Sequence, residues 1–191
     1  MAIGILVCGL NGSGKSTLGK ELARALGYQF MDDEELFFLP TDARNPYAAQ
    51  RSREAAEQVL RCRIHSLGDF VLASVKGCYD QNIISLYRCA VLVEVPKEIR
   101  LKRVQERSYA RFGARMLPGG DLYEREQAFL NKVAGRGEHE LIAWVESLPC
   151  PALRVDGTKS PDANVAYILR AIKQSRALEG PSCAKGANGV Q

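Results

Sequence analysis

The sequence has little of what builds metal centres, disulfide scaffolds or membrane spans. Its 191 residues contain only two histidines and six cysteines, and no two cysteines form a C-x-x-C pair, which excludes the common zinc motifs. No apolar run approaches the roughly 20 residues that a membrane-spanning helix needs. The net charge of +4 is mild and the basic residues are interleaved with acidic ones, so nothing calls for a nucleic-acid partner. We therefore expect a cytoplasmic protein with reduced thiols and no membrane or nucleic-acid partner.

The length and composition are those of one folded domain. Hydrophobic residues make up 46% of the chain, an ordinary share for a globular protein, and no linker or internal repeat divides it. We expect one domain over residues 1–179. Residues 180–191 are rich in small and polar residues without periodicity, which predicts a disordered tail. Both a monomer and a homodimer are compatible with the sequence.

Short apolar runs alternate with longer helical patterns along the chain. The apolar runs predict five strands, at 3–8, 28–31, 69–74, 89–95 and 153–155. The helical patterns lie at 17–26, 46–67, 79–87, 96–109, 122–148 (with a bend near residues 135–137) and 161–178. Such alternation is typical of an α/β protein in which helices cover both faces of a parallel sheet.

The most specific motif is G-x-x-x-x-G-K-S, which occupies residues 9–16 directly after the first apolar run. Its glycines permit positive φ and bring backbone N–H groups close to phosphate oxygens. Lys15 supplies a positive charge for the β- and γ-phosphates, and the Ser16 hydroxyl is a ligand for Mg²⁺. Because the chain has no evident N-K-x-D motif to read a guanine base, the expected donor is ATP. The predicted nucleotide contacts are Gly9, Asn11, Gly12, Ser13, Gly14, Lys15, Ser16 and Thr17.

Two acidic residues, Asp32 and Asp33, stand where the second predicted strand ends. Ligands of open α/β sheets bind at the carboxyl ends of the strands. We expect one carboxylate to reach Mg²⁺, directly or through water, and the other to accept a proton from a substrate hydroxyl. The spacing does not assign the two roles, and the competing interpretation is that one of them only caps the following helix.

Arginines recur every three or four residues in the second half of the chain, which places them along one side of a helix. They are Arg100, Arg103, Arg107, Arg111 and Arg115. For Arg100 and its neighbour Lys102 we expect a solvated helix face. The last three approach an irregular Gly/Pro segment, and guanidinium groups that close over a transferring phosphoryl group stabilise its charge. We expect Arg107, Arg111 and Arg115 to be catalytic residues of a lid over residues 107–136.

Four further residues are candidate contacts to the phosphoryl acceptor. Arg53 lies near the start of the long second helix, where it could hold an anionic group. Lys76 and Gly77 follow the third predicted strand, so their loop would face the same crevice as the acidic pair. Arg136 follows the arginine-rich segment.

This set of residues resembles the small P-loop kinases, the group that holds adenylate and other nucleoside monophosphate kinases, shikimate kinase and gluconate kinase. The resemblance is specific over Gly9–Leu26 and Tyr28–Asp33, and looser through residues 100–136 and Val155–Thr158. It implies a three-layer P-loop NTPase fold with a five-stranded parallel sheet in the order 2-3-1-4-5 and a mobile helical lid. It also implies that Asp32 is the acid linked to Mg²⁺, which leaves Asp33 as the base or an acceptor ligand.

The acceptor side departs from the patterns of this group. Shikimate kinase has a glycine triplet after the third strand and adenylate kinase a Gly-x-Pro-Arg turn, whereas this chain has Ser74-Val-Lys-Gly77. We therefore expect a kinase dependent on ATP and Mg²⁺ that phosphorylates a small-molecule acceptor whose identity stays open. The alternatives are a nucleoside monophosphate kinase, which needs no general base, and an ATP-binding protein or ATPase without kinase activity.

Overall fold

Five strands form one parallel sheet at the centre of the fold. The computed structural model describes residues 2–39 and 49–178. The strands are β1 (Gly4–Cys8), β2 (Gln29–Asp32), β3 (Phe70–Ser74), β4 (Tyr87–Glu94) and β5 (Ala152–Asp156). They lie in the order β2-β3-β1-β4-β5 and every neighbouring pair is parallel, so the predicted α/β class and strand order are confirmed. The predicted helix start at Pro46 and the predicted tail at 180–191 lie outside the described residues.

The helices connect these strands and flank the sheet. In the described ranges they are α1 (Lys15–Leu26), α2 (Asp33–Phe37), α3 (Arg53–Leu67), α4 (Gln81–Ile84), α5 (Lys97–Phe112), α6 (Tyr123–Ala134), α7 (His139–Glu146) and α8 (Pro161–Leu178). The 3-10 turn Gly113–Met116 joins α5 to the segment before α6. None of the helices in these ranges is both long and apolar enough to cross a lipid bilayer.

The predicted helix over residues 79–87 is largely wrong. Only Gln81–Ile84 is helical, with Asp80 as its cap, because the Asp80 carboxylate accepts from the amide of Ile83. Tyr87 instead begins β4, where it pairs with Gly4 and packs edge-on against the ring of Phe70. Packing between distant segments thus extends the strand into a stretch that local pattern assigns to a helix.

Each face of the sheet has its own apolar layer. On one face Val7 and Val91 pack with Leu22 of α1 and Ile168 of α8. On the other, Leu6 and Leu72 pack with Leu60 of α3 and with Leu141 of α7, among others. The strands β1 and β3 are buried along their whole length, as expected for central strands covered on both sides.

The connections place the functional residues at the carboxyl edge of the sheet. β1 runs into the glycine-rich loop, β2 ends at Asp32, and α5 and α6 pack against each other. Because all strands are parallel, the residues that follow β1, β2 and β3 reach the same edge.

Candidate active site

The loop after β1 lets the backbone approach a ligand closely. Gly12 and Gly14 have φ of 83° and 89°, values that glycine adopts without steric cost. A Cβ on Gly12 would collide with the carbonyl oxygen of Arg100. Gly14 caps α1 without a side-chain hydrogen bond, so the amides of residues 15–17 in its first turn are left for an anion.

The other predicted loop contacts are held in place by tight packing. A Cβ on Gly9 would lie 2.5 Å from Ser13 Oγ and 2.8 Å from the carbonyl oxygen of Val93. Ser13 is buried, and its hydroxyl has no hydrogen-bond partner among the described residues. The Asn11 side-chain oxygen accepts from Arg136. Ser16 is half-buried and Thr17 is exposed.

A cleft of about 470 Å³ opens beside this loop. Of the predicted site residues, seven line it together: Asn11, Lys15, Asp32, Asp33, Arg107, Arg111 and Arg136. The pKa of Lys15 is lowered, mainly because its side chain is removed from water. The charge of Asp32 opposes this shift, and the charge of Arg107 adds to it. Two cationic groups therefore lie close to each other, an arrangement that suits a ligand with several anionic oxygens.

The two aspartates differ in their surroundings. Asp32 caps α2, since its carboxylate accepts from the amide of Glu34 at 3.0 Å, and it still lines the cleft. Asp33 accepts from the Ser74 hydroxyl at 2.5 Å and from the Tyr79 hydroxyl. Burial raises the pKa of Asp33 against the lowering effect of these two hydrogen bonds. Asp33 is thus a fixed carboxylate with a raised pKa at the wall of the cleft, which is the setting of a general base.

The three predicted lid arginines are placed differently from one another. Arg107 lines the cleft, and it makes no hydrogen bond or ion pair within the described part of the chain. Arg111 also lines it and lies 3.8 Å from the carboxylate of Glu34. Arg115 lies outside the cleft lining and forms a two-bond ion pair with Asp121, at 2.9 and 2.6 Å. The structure therefore brings two of the three to the loop side.

The expectation of a solvated Arg100 is wrong. Arg100 is only 2% exposed, and its Nε donates to the carbonyl of Val95 at 3.1 Å. One terminal nitrogen donates to the Glu138 carboxylate at 3.2 Å. Because the guanidinium group is buried, it has to be paired with protein groups, here the Val95 carbonyl and the carboxylate of the exposed Glu138. Lys102, by contrast, is exposed as expected.

Three of the four predicted acceptor contacts lie outside the cleft lining and contact other parts of the protein. Arg53 donates to the carbonyl of Cys78 and Lys76 lies 3.4 Å from Glu140. The amide of Gly77 donates to Ser74 Oγ at 2.8 Å, and its carbonyl accepts from Tyr87 at 3.2 Å. None of the three is part of the cleft lining. Arg136 does line the cleft, where it contacts the P-loop residue Asn11.

Several cleft residues were missed from the sequence. They are Glu34, Phe37, Phe38, Gln50, Val75, Ser108, Phe112, Arg125, Glu126, Phe129 and Lys132. The spacing of Phe129, Lys132 and Arg136 is i, i+3 and i+7, which puts them on one side of α6 and its end. This helical spacing from Arg136 was the signal in the sequence that could have identified Phe129 and Lys132.

The residues present fit a nucleoside triphosphate and Mg²⁺. The glycine cradle and the uncapped start of α1 suit phosphate oxygens. Ser16 and Asp32 supply oxygen ligands, and Mg²⁺ usually takes one or two carboxylates together with phosphate oxygens. Within the described ranges, no group of three His, Cys, Asp or Glu residues is arranged to hold a metal ion.

Known proteins match this chain over more than half of its length. The sequence signature of the AAA domain family matches residues 5–115. Shikimate kinase 2 of Pectobacterium carotovorum is 30% identical over 193 residues, covering 91% of this chain and 98% of that protein. The uncharacterized protein YqaC of Bacillus subtilis is 26% identical over 175 residues, covering 86% of this chain and 94% of YqaC. A putative kinase from Chloroflexus aurantiacus shares the fold, with a TM-score of 0.56 at 18% identity, over 91% of this chain and 97% of that one.

Proposed function

Because the chain belongs to the AAA domain family and is a small P-loop kinase, we propose that it transfers the γ-phosphoryl group of ATP to a hydroxyl group of a small molecule. The observation that carries this proposal is the single cleft shared by the P-loop residue Lys15 and the half-buried, hydrogen-bonded carboxylate of Asp33. A phosphate-binding cation and a fixed base at one cleft are what transfer to an alcohol requires.

The P-loop side of the cleft would hold the donor. The amides of residues 15–17 and the ammonium group of Lys15 bind the β- and γ-phosphates. Ser16 and Asp32 would hold Mg²⁺, which offsets phosphate charge when it is bound. Arg107 stabilises the charge on the transferring group, since it lies near Lys15 and has no protein partner in the described ranges.

The other side would activate the acceptor. Asp33 takes the proton of the acceptor hydroxyl while its oxygen attacks the γ-phosphorus. Ser74 and Tyr79 fix the carboxylate through their hydroxyl groups. A phosphate acceptor, as in a nucleoside monophosphate kinase, is already charged and needs no such base. The carboxylate of Asp33, held by two hydroxyl groups, therefore favours an alcohol.

The test is release of ADP from ATP and Mg²⁺, measured over a panel of alcohols, hydroxy acids, sugars, nucleosides and nucleoside monophosphates. We expect turnover with an alcohol, its loss in Lys15→Ala, and no change in Lys102→Ala, which removes an exposed lysine. Asp33→Asn should lower kcat by roughly 10²–10⁴-fold, the usual contribution of a general base, whereas Asp162→Asn on α8 should not.

Two results would contradict the proposal. ATP binding without ADP release for any acceptor would favour a nucleotide-binding protein. Turnover of a nucleoside monophosphate that survives Asp33→Asn would favour a nucleotide kinase.

A further inference from the structure

Phenylalanine is concentrated at the cleft. The chain has six phenylalanines, and four of them line this one cavity: Phe37, Phe38, Phe112 and Phe129. Phe37 ends α2 and Phe38 follows it, Phe112 ends α5 and Phe129 lies in α6. The apolar surface is therefore contributed by three helical segments. Phe37, Phe38 and Phe129 are only half-buried. Apolar surface left open in a cleft gains free energy when a ligand with an apolar part covers it.

The arginines of α5 have different partners at different distances from the P-loop. Arg103, near the start, donates to the carbonyl of Gly12 at 3.4 Å. Arg107, one turn further, makes no hydrogen bond or ion pair within the described ranges. Its charge lowers the pKa of Lys15. Arg111, one more turn away, lies 3.8 Å from Glu34, and Phe112 is its neighbour. Eight residues of helix span about 12 Å, so the Arg111 end is well separated from the phosphates.

The same order is seen along α6. Arg136, just beyond the end of α6, contacts the P-loop residue Asn11. Lys132 is one turn back and Phe129 nearly one turn further. Arg125 lies at the far end, where it pairs with Glu126 at 2.9 Å and stacks 5.0 Å from the centre of the Phe112 ring. Both helices thus place cations near the P-loop. At the end away from the P-loop, they place phenylalanines beside arginines that are paired with acids.

At the far end of the cleft the phenylalanines therefore lie beside arginines that already have acidic partners. Arg111 and Arg125 have the carboxylates of Glu34 and Glu126 as partners, and Asp32 and Asp33 bring the acids of the lining to four. An acceptor with a carboxylate or phosphate group would have to compete with these acids for the arginines and would be repelled by them. A flat ring, in contrast, can stack on phenylalanine rings, and the carboxylates can accept from its hydroxyl or N–H groups.

We infer that the acceptor is an uncharged alcohol that carries a planar ring. This inference rests on the proposed function and names its substrate class. The ring lies against Phe37, Phe38 and Phe129, and the hydroxyl reaches Asp33. In the reaction a bond forms between the acceptor oxygen and the γ-phosphorus, and the bond from that phosphorus to the β,γ-bridging oxygen breaks. The bridging oxygen keeps the electron pair as ADP leaves, and the hydroxyl proton passes to the Asp33 carboxylate.

Two kinds of molecule share this chemistry, and the experiment separates them. ADP release is measured with a nucleoside arm (cytidine and thymidine) and an aromatic alcohol arm (2-phenylethanol and 4-methoxybenzyl alcohol). Shikimate and gluconate represent anionic alcohols, glycerol and glucose represent neutral alcohols without a flat ring, and AMP and CMP represent phosphate acceptors. We expect at least a tenfold higher kcat/KM for one of the ring-bearing arms than for any compound in the other three groups.

Variants test the two surfaces separately. Phe129→Ala should raise KM for the ring-bearing alcohol about tenfold and leave KM for ATP unchanged. Tyr167→Ala, which removes an exposed aromatic residue of α8, is the matched control and should change neither. Glu34→Gln removes the carboxylate beside Arg111 and should raise kcat/KM for shikimate or gluconate relative to the ring-bearing alcohol.

The outcomes distinguish this inference from the proposed function. A shikimate, gluconate, sugar or monophosphate preference that depends on Lys15 would overturn the substrate class and leave the kinase in place. An unchanged KM for the ring-bearing alcohol in Phe129→Ala would also overturn it. No ADP release with any compound, despite ATP binding that Lys15→Ala abolishes, would overturn both.

Discussion

The hydroxyl of Tyr79 donates a hydrogen bond to the carboxylate of Asp33, 46 positions away in the sequence. Tyr79 itself is buried, so this contact is made inside the protein, behind the wall of the cleft. The hydrogen bond favours the charged form of Asp33, whereas burial favours the neutral form and raises the pKa. The pair therefore sets the pH range in which Asp33 can accept a proton.

Tyr79→Phe is expected to move the acid limb of the kcat profile to higher pH. The variant removes a hydrogen bond that lowers the pKa of Asp33, so the pKa rises and a higher pH is needed to deprotonate the base. The measurement is kcat against pH for wild type and variant at saturating substrates. Tyr109→Phe, at an exposed position, should leave the profile unchanged. An acid limb that stays in place in Tyr79→Phe would argue against Asp33 as the base.

Arg107 and Arg115 are expected to differ strongly when each is replaced by alanine. Arg107 lines the cleft beside Lys15, and loss of one such charge-stabilising group lowers kcat by about 10²–10³-fold. Arg115 is exposed and paired with Asp121, and exposed pairs contribute little, so its loss should change kcat by less than about threefold. Steady-state kinetics with each variant decides this. Equal losses would show that Arg115 reaches the phosphoryl group during turnover.

The sequence predicted the glycine-rich loop and the strand and helix beside it, because the information for them is local. A glycine-rich loop between a buried strand and a helix is specified by adjacent residues, and the structure places Gly9–Ser16 accordingly. The strand order follows from parallel βα units and the resemblance to P-loop kinases. Asp32 and Asp33 reach the cleft because the strand that carries them ends there.

The acceptor side depends on contacts that no local pattern encodes. Lys76 and Gly77 do follow β3 as predicted, but the bond from the Gly77 amide to Ser74 Oγ folds their loop back on the strand. Helical spacing correctly put Arg100 and Arg107 on related faces of α5. Helical spacing could not show that Glu138, 38 residues later, would form an ion pair with Arg100. The phenylalanines of the cleft come from three separate helical segments, so only the folded chain brings them together.

Gly157→Ala is expected to weaken ATP binding although Gly157 lies far from the P-loop in sequence. A Cβ there would lie 2.6 Å from the carbonyl oxygen of Ser13 and 2.5 Å from Val95 Cγ2, so the loop has to shift. We expect about a tenfold rise in the Kd for ATP and a loss of roughly 1–3 kcal/mol in the free energy of unfolding. Calorimetric titration and urea unfolding measure the two. Gly137→Ala is the matched control, because no atom lies within 4 Å of its Cβ, and a large effect there would show that the packing argument is incorrect.

Replacement of buried Arg100 is expected to depend on shape more than on charge. Arg100→Ala leaves a cavity where a fully buried side chain stood, and should lower the free energy of unfolding by about 3 kcal/mol. Arg100→Met fills the space without the cost of desolvating a guanidinium, and one terminal nitrogen of Arg100 has no partner among the described residues. Arg100→Met should therefore cost less than about 1 kcal/mol or stabilise the fold. Urea unfolding with unchanged m-values measures both, with Lys102→Met as the exposed control. If Arg100→Met destabilises the protein as much as Arg100→Ala, the ion pair with Glu138 contributes more than its desolvation costs.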